Sequence, residues 1–309
     1  GLGIGGSISV IGVDGADATS NFTQSFGAGA FSAGGNVLVV LNSVDVKVTE
    51  NASSIETDGA ILATNGAGTA FLNQNNGIWN INNGDGYDVT TVDGKATVWG
   101  FNSTLNITND GGQAAQDGDG IHVRVVDDAG TAAKDGAGSI TIDSINLTIN
   151  VAGKGDGVDA EISSGLNGDI KMGDFFGPLS NLQIKNTSTT SGQGTATGIR
   201  AVTNGQGDIT IAIDGFSKIS SIGAGIYAQN TSGAFGDITV TSAATINVTG
   251  TDTYDDGVYA NTNGEGDVTV TNSGAIHVDA GDGIEATITG PGLATSDGDV
   301  TVTNTYAVS

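Results

Sequence analysis

Seven side chains recur at one place in a short motif and could act together. Asp88, His122, Asp159, Arg200, Tyr227, Tyr259 and Glu285 each lie two residues past a glycine, on the outward position of a strand-like run. If these runs stack in chain order, neighbours sit about 4.8 Å apart. Asp159 would then pair with Arg200, and Tyr227 would stack on Tyr259. A strip of acidic, basic and aromatic groups suits a carbohydrate or a protein edge. The simpler reading is a ladder of cross-strand pairs, each giving roughly 0.2–1 kcal/mol.

Other residues invite other chemistry. Carboxylates about 5–9.5 Å apart on one face could cleave a glycosidic bond. The pairs Asp117/Asp119, Asp127/Asp128 and Asp255/Asp256 all fall in glycine-rich turn text, where Asp has a structural task as an Asx-turn residue. No catalytic residue is expected. Asn83-Gly-Asp-Gly-Tyr-Asp88 and Lys154-Gly-Asp-Gly-Val-Asp159 approach the nonapeptide of calcium-binding β-rolls. Each lacks the first glycine, and Thr90 or Glu161 stands where an apolar residue is needed. They read as corner turns; Ca²⁺ is the one cofactor such turns allow. His122 and His277 are far apart, so neither a histidine triad nor a zinc site is expected. Phe175 and Phe176, in Asp174-Phe-Phe-Gly-Pro-Leu179, form either a contact patch or a cap folded back over a groove.

The elements that must position these groups are repeats. Gly138-Ser-Ile-Thr-Ile142, Gly207-Asp-Ile-Thr-Ile211, Gly236-Asp-Ile-Thr-Val240, Gly266-Asp-Val-Thr-Val270 and Gly298-Asp-Val-Thr-Val302 are copies of one strand, and Gly168-Asp-Ile170 is a shorter one. Their starts lie roughly 30 residues apart, a repeat-protein period. Fainter copies start at Gly6, Gly35 and Gly94, and a degenerate one near Gly68 carries Phe71. Each copy holds a middle run such as Leu147-Thr-Ile149 or Ile246-Asn-Val248, and a last run such as Gly225-Ile-Tyr-Ala228. Three short strands with no helical period between them describe one triangular coil. Val and Ile point inward, and Thr, Asp and Tyr point outward. Asn186, Asn272 and Asn304, at strand ends, can form stacked amide ladders.

The predicted fold is therefore all-β: a single-stranded parallel β-helix, or β-solenoid, of about ten three-strand coils, taken as right-handed. One continuous β-helix spans 1–309, less regular over 1–137 and regular over 138–309. Insertions are expected near 110–135 and 172–180. A β-propeller is the alternative, but its blades usually need about 40–50 residues.

Composition agrees. The chain has 52 glycines, only 2 prolines and 37% hydrophobic residues, so it is neither collagen nor a disordered tract. A net charge of -25 with 9 basic residues gives no surface for neutralising phosphates, so nucleic acid is not an expected partner. Cysteine is absent, which suits a chain that crosses a membrane unfolded. No run of about 18 apolar residues is present. The chain begins and ends inside repeat text and reads as a fragment or a mature product.

The text Gly266-Asp-Val-Thr-Val-Thr-Asn-Ser-Gly-Ala-Ile276, followed by Gly281-Asp-Gly-Ile-Glu-Ala286, resembles passenger domains of bacterial autotransporters and related filamentous adhesins. The resemblance covers nearly the whole chain. It implies a secreted or cell-surface, elongated and adhesive protein, held at a membrane only through a segment not present here. The expected function is a non-catalytic stalk presenting a binding surface to a protein or glycan on a host or neighbouring cell. The main alternative is a filament, sheath or surface-layer subunit that self-associates through its β-helix ends. A polysaccharide-active enzyme is the third reading.

Overall fold

The alternation of apolar and polar residues sets one inner face, and the chain folds to bury it. The computed structural model describes residues 8–11, 17–20, 25–32, 35–48, 57–64, 68–108, 118–127, 138–163, 166–187, 195–231, 236–289 and 298–309. Among these there is no helix, and so none long and apolar enough to cross a membrane. Strands form one sheet of sixteen and one of nine. The named strands pair in parallel, in a stacking consistent with a β-solenoid.

Like sits on like along the stack. Ile170, Ile209, Ile238, Val268 and Val300 are successive partners in register. All but Val300, on the outermost strand, are buried in one continuous core. Between them Thr210, Thr239, Thr269 and Thr301 form the outward row. Trp79 and Tyr87 also point inward, edge to face at 5.0 Å, so the core is not wholly aliphatic.

The Gly-Asp that opens the repeats from Gly168 onward has a mechanical role. The Asp169 carboxylate accepts the backbone N–H of Asp208 at 3.1 Å, Asp208 that of Asp237 at 2.9 Å, Asp237 that of Asp267 at 2.8 Å, and Asp267 that of Asp299 at 2.7 Å. Each coil thus hands one hydrogen-bond acceptor to the next.

A second ladder sits where the chain turns between first and middle strands. In Thr69–Asn82, Lys95–Thr108 and Ile140–Ala152 these strands run together and bend at Asn76, Asn102 and Asn146, with φ of 54°, 49° and 55°. Asn tolerates this left-handed backbone better than most residues. Asn75 donates its amide to Asn42, Asn102 to Asn75, Asn146 to Asn102 and Asn181 to Asn146, at 3.2, 3.4, 2.9 and 2.9 Å. Of the expected ladder positions, Asn272 does bond Asn304, at 2.9 Å. Asn186 departs from the expectation. It is buried, and its amide turns to the carbonyls of Gly155 and Thr197, because its register partner is Val151 and not another amide.

The stretch near 172–180 is a loop from Gly173 to Leu179. Gly173 and Gly177 take φ of 78° and 96° there, conformations that disfavour any side chain. Near 110–135, only 118–127 is described. It carries the strand Ile121–Val126, in register with Tyr87–Val92 on one side and Val158–Ile162 on the other.

Candidate functional site

The nine-stranded sheet brings the seven-residue column together in sequence order. Asp88 partners His122, His122 partners Asp159, and Asp159 partners Arg200. Arg200 then partners Tyr227, Tyr227 partners Tyr259, and Tyr259 partners Glu285. Both expected contacts form. Arg200 donates to Asp159 at 2.6 Å, and the tyrosine rings stack with centroids 4.8 Å apart.

The column is not open to solvent along its length, contrary to the expectation of an outward strip. Asp159, Tyr227 and Tyr259 are buried. The Arg200 guanidinium lies against Asp159. The two tyrosines form a small apolar cluster with Val202 and Ala224, separate from the main core. His122 and Arg200 keep partial exposure, as does Glu285.

A second column, missed in the sequence, explains this crowding. Three residues before each column member stands a corner residue: Asp85, Asp119, Asp156, Thr197, Ala224, Asp256 and Asp282. Asp58 precedes them, its carboxylate accepting the backbone N–H of Asp85 at 2.8 Å. Asp85 accepts from Asp119 at 2.7 Å, Asp119 from Asp156 at 2.6 Å, and Asp156 from Thr197 at 2.6 Å. Asp256 accepts from Asp282 at 2.7 Å. At Ala224 there is no carboxylate, and Tyr227 packs there instead. The signal was present as a recurring Asp-Gly three residues ahead of the column. The two turns that approach a calcium nonapeptide belong to this corner.

Burial and charge compete here. Asp119 is pushed well up, first by burial and then by Asp85, Asp156 and Asp159. Asp156 is pushed up to about 7 by burial and Asp159, against the pull of the Thr197 N–H and hydroxyl and of Arg200. Burial works against a charged His122. The hydrogen bond to Asp85, with the charges of Asp85, Asp159 and Asp88, overcomes it and raises the ring to about 9. His122 Nδ1 lies 3.2 Å from Asp85 and 3.8 Å from Asp88. Lys154, Asp156, Asp159, Thr195 and Arg200 line much of a polar pocket of about 260 Å³ beside this cluster.

Phe175 and Phe176 fold back, yet remain 68% and 47% exposed. Phe175 stacks on Trp99 at 5.2 Å, and Phe176 meets Trp99 at 4.9 Å and Phe101 at 5.3 Å. Phe71 closes on Trp99 at 4.6 Å, giving five rings on one outer face. Beneath the loop, the buried Asp143 carboxylate accepts the N–H of Asp174 at 3.1 Å. Burial raises this carboxyl, while backbone N–H groups of Phe175, Asp174 and Phe176 pull it back.

Of the acidic pairs, Asp117 and Asp128 lie outside the described residues. Asp255 and Asp256 are both buried, the first accepting the Asp252 N–H at 2.8 Å. His277 stands apart from His122, its Nε2 3.2 Å from Asp279.

No protein-family model matches the chain, and neither searched set, curated proteins or solved structures, returns a match.

Proposed function

We propose that this chain is a non-catalytic structural and adhesive protein acting outside the cell, a rigid stalk that presents a binding surface. In this reading one right-handed β-helix of about ten three-strand coils runs through the chain. Its length would be on the order of 50 Å at about 4.8 Å per coil. The observation that carries the adhesive part is the five-ring patch of Phe71, Trp99, Phe101, Phe175 and Phe176. Phe175 and Phe176 are exposed and the other three rings half-buried, an arrangement on an acidic chain that suits the flat face of a sugar or an apolar protein edge. The resemblance to autotransporter passengers and filamentous adhesins supports placing that ligand on a neighbouring or host cell. Asp88, His122, Arg200 and Glu285, the partly exposed members of the column, offer a separate polar surface on the nine-stranded sheet.

The test is adhesion of the purified protein to glycan arrays and to cells. Replacing Phe175 and Phe176 by Ser should reduce capture at least about tenfold, as for interface anchors. Unchanged capture by a folded double variant would remove the patch from the reading.

A second reading is end-to-end assembly. The strand Val300–Asn304 pairs with Val268–Asn272, and among the described residues no strand pairs with its other edge. Val300 and Val302 on this strand are 46% and 49% exposed. Such an edge accepts a further parallel coil, from a continuation of this chain or from a second copy. Negative-stain microscopy separates the two readings: rods of one length support the stalk, and fibres support assembly.

A further inference from the structure

Asp256, Asp282 and Glu285 form a cluster apart from the aromatic patch and from the His122 rungs. Asp256 and Asp282 are successive corner residues, and Glu285 ends the outward column. Each offers one carboxylate oxygen, and these oxygens lie within 4.8 Å of one another. Asp256 is fully buried. Its Oδ1 accepts the Asp282 N–H, but its Oδ2 is buried with no hydrogen-bond partner. A buried carboxylate oxygen left without a donor is costly, and a cation is one thing that would satisfy it.

The neighbouring rungs differ. Asp85 has His122, and Asp159 and Asp156 have Arg200. The charged groups pressing on Asp256 are Glu285, Asp282 and Asp255, all acidic. Together with burial, the larger cause, they push its carboxyl up to about 6.

We propose that Asp256, Asp282 and Glu285 bind a hard divalent cation, Ca²⁺, between the last two corners of the nine-stranded sheet. Ca²⁺ takes oxygen ligands at about 2.3–2.6 Å, so oxygens on opposite sides of it lie about 4.8 Å apart, as this cluster allows. An all-carboxylate set disfavours zinc and copper, which prefer imidazole or thiolate. Asp282 is exposed and Glu285 partly so, leaving room for water to complete the shell. The ion would tie the corner before Val258–Thr262 to the corner before Ile284–Ile288.

Terbium, which replaces Ca²⁺ in oxygen sites, is the probe. Tyr259 is the register partner of Glu285 and can sensitise its emission. The wild-type chain should show tyrosine-sensitised emission that Ca²⁺ displaces, and Ca²⁺ should raise its melting temperature. Glu285→Gln should weaken Tb³⁺ and Ca²⁺ binding at least about tenfold and remove most of the thermal shift. Asp237→Asn, on the other sheet, should change neither. Asp256→Asn should abolish the signal; if that variant does not fold, Glu285→Gln decides. Equal emission and equal thermal shift in wild type, Glu285→Gln and Asp237→Asn would mean diffuse counterions on an acidic surface, and would overturn the proposal.

Discussion

Arg200 reaches one coil back and places its Nη1 2.6 Å from Oδ1 of Asp159, a pair that is mostly buried on both sides. The contact exists because the two residues are register partners in adjacent parallel strands. The same guanidinium lies close enough to Asp156 to favour its ionised form. One cation therefore serves two carboxylates of a single coil, one in each column.

Removing that cation should destabilise the fold. Arg200→Met leaves Asp159 buried without its partner, and the expected loss is on the order of 3 kcal/mol in urea unfolding. Adding Asp159→Asn should restore part of it. Equal losses in the single and double variants would show that the pair is not coupled.

Stability should fall as pH rises from about 5 to about 9. The carboxyls of Asp119 and Asp156 are raised, Asp156 to about 7, so the folded chain holds their protons more tightly than the unfolded chain. Their contribution is present at low pH and is lost as pH climbs through the folded values. His122, raised to about 9 and faced by Asp85, Asp88, Asp119 and Asp159, acts in the same direction. Its contribution is complete below about 6.5 and is lost as pH passes about 9. Urea midpoints measured in chelator at about pH 5 and about pH 8 check this. A higher midpoint at the upper pH would contradict it.

Gly168 packs against the main chain of the previous coil. A methyl group there would overlap the carbonyl of Gly138. Gly168→Ala should cost about 3 kcal/mol, since backbone and not a flexible side chain must move. Thermal unfolding measures it, with Gly215→Ala as the comparison, because a methyl there meets only ordinary contacts with Ala243.

Asn146 combines a positive φ of 55° with a place inside the amide ladder. Asn146→Gly keeps the backbone and loses the ladder bonds; Asn146→Ala loses both. The alanine variant should be less stable than the glycine variant by about 1 kcal/mol. The reverse order in urea unfolding would mean that backbone strain at this corner is negligible.

Asp143 holds the Phe loop from beneath. Asp143→Ala should leave the chain folded but loosen the loop, seen as faster proteolysis near Phe175 and Phe176. Ligand capture should fall with it. Intact capture with a loosened loop would separate the rings' geometry from adhesion.

The strands, their inner faces and the outward column were legible in the sequence, because parallel strands in register repeat their pattern at every coil. Like residues then stack on like, and the period appears directly in the text. The pairings Asp159–Arg200 and Tyr227–Tyr259 follow from that period alone. What only the tertiary structure decided depends on depth and on neighbours outside the repeat. The Asp corner looked like turn chemistry until the coils were stacked, when each carboxylate was seen to serve the next coil's N–H. Tyr227 and Tyr259 looked exposed by alternation but are buried, because their rings stack on each other and pack with Val202 and Ala224. The five-ring patch joins residues from three separate coils, and the Asp256 cluster joins two. Distances of that kind are set by how coils pack, and a one-dimensional period carries the stacking order but not the space between side chains.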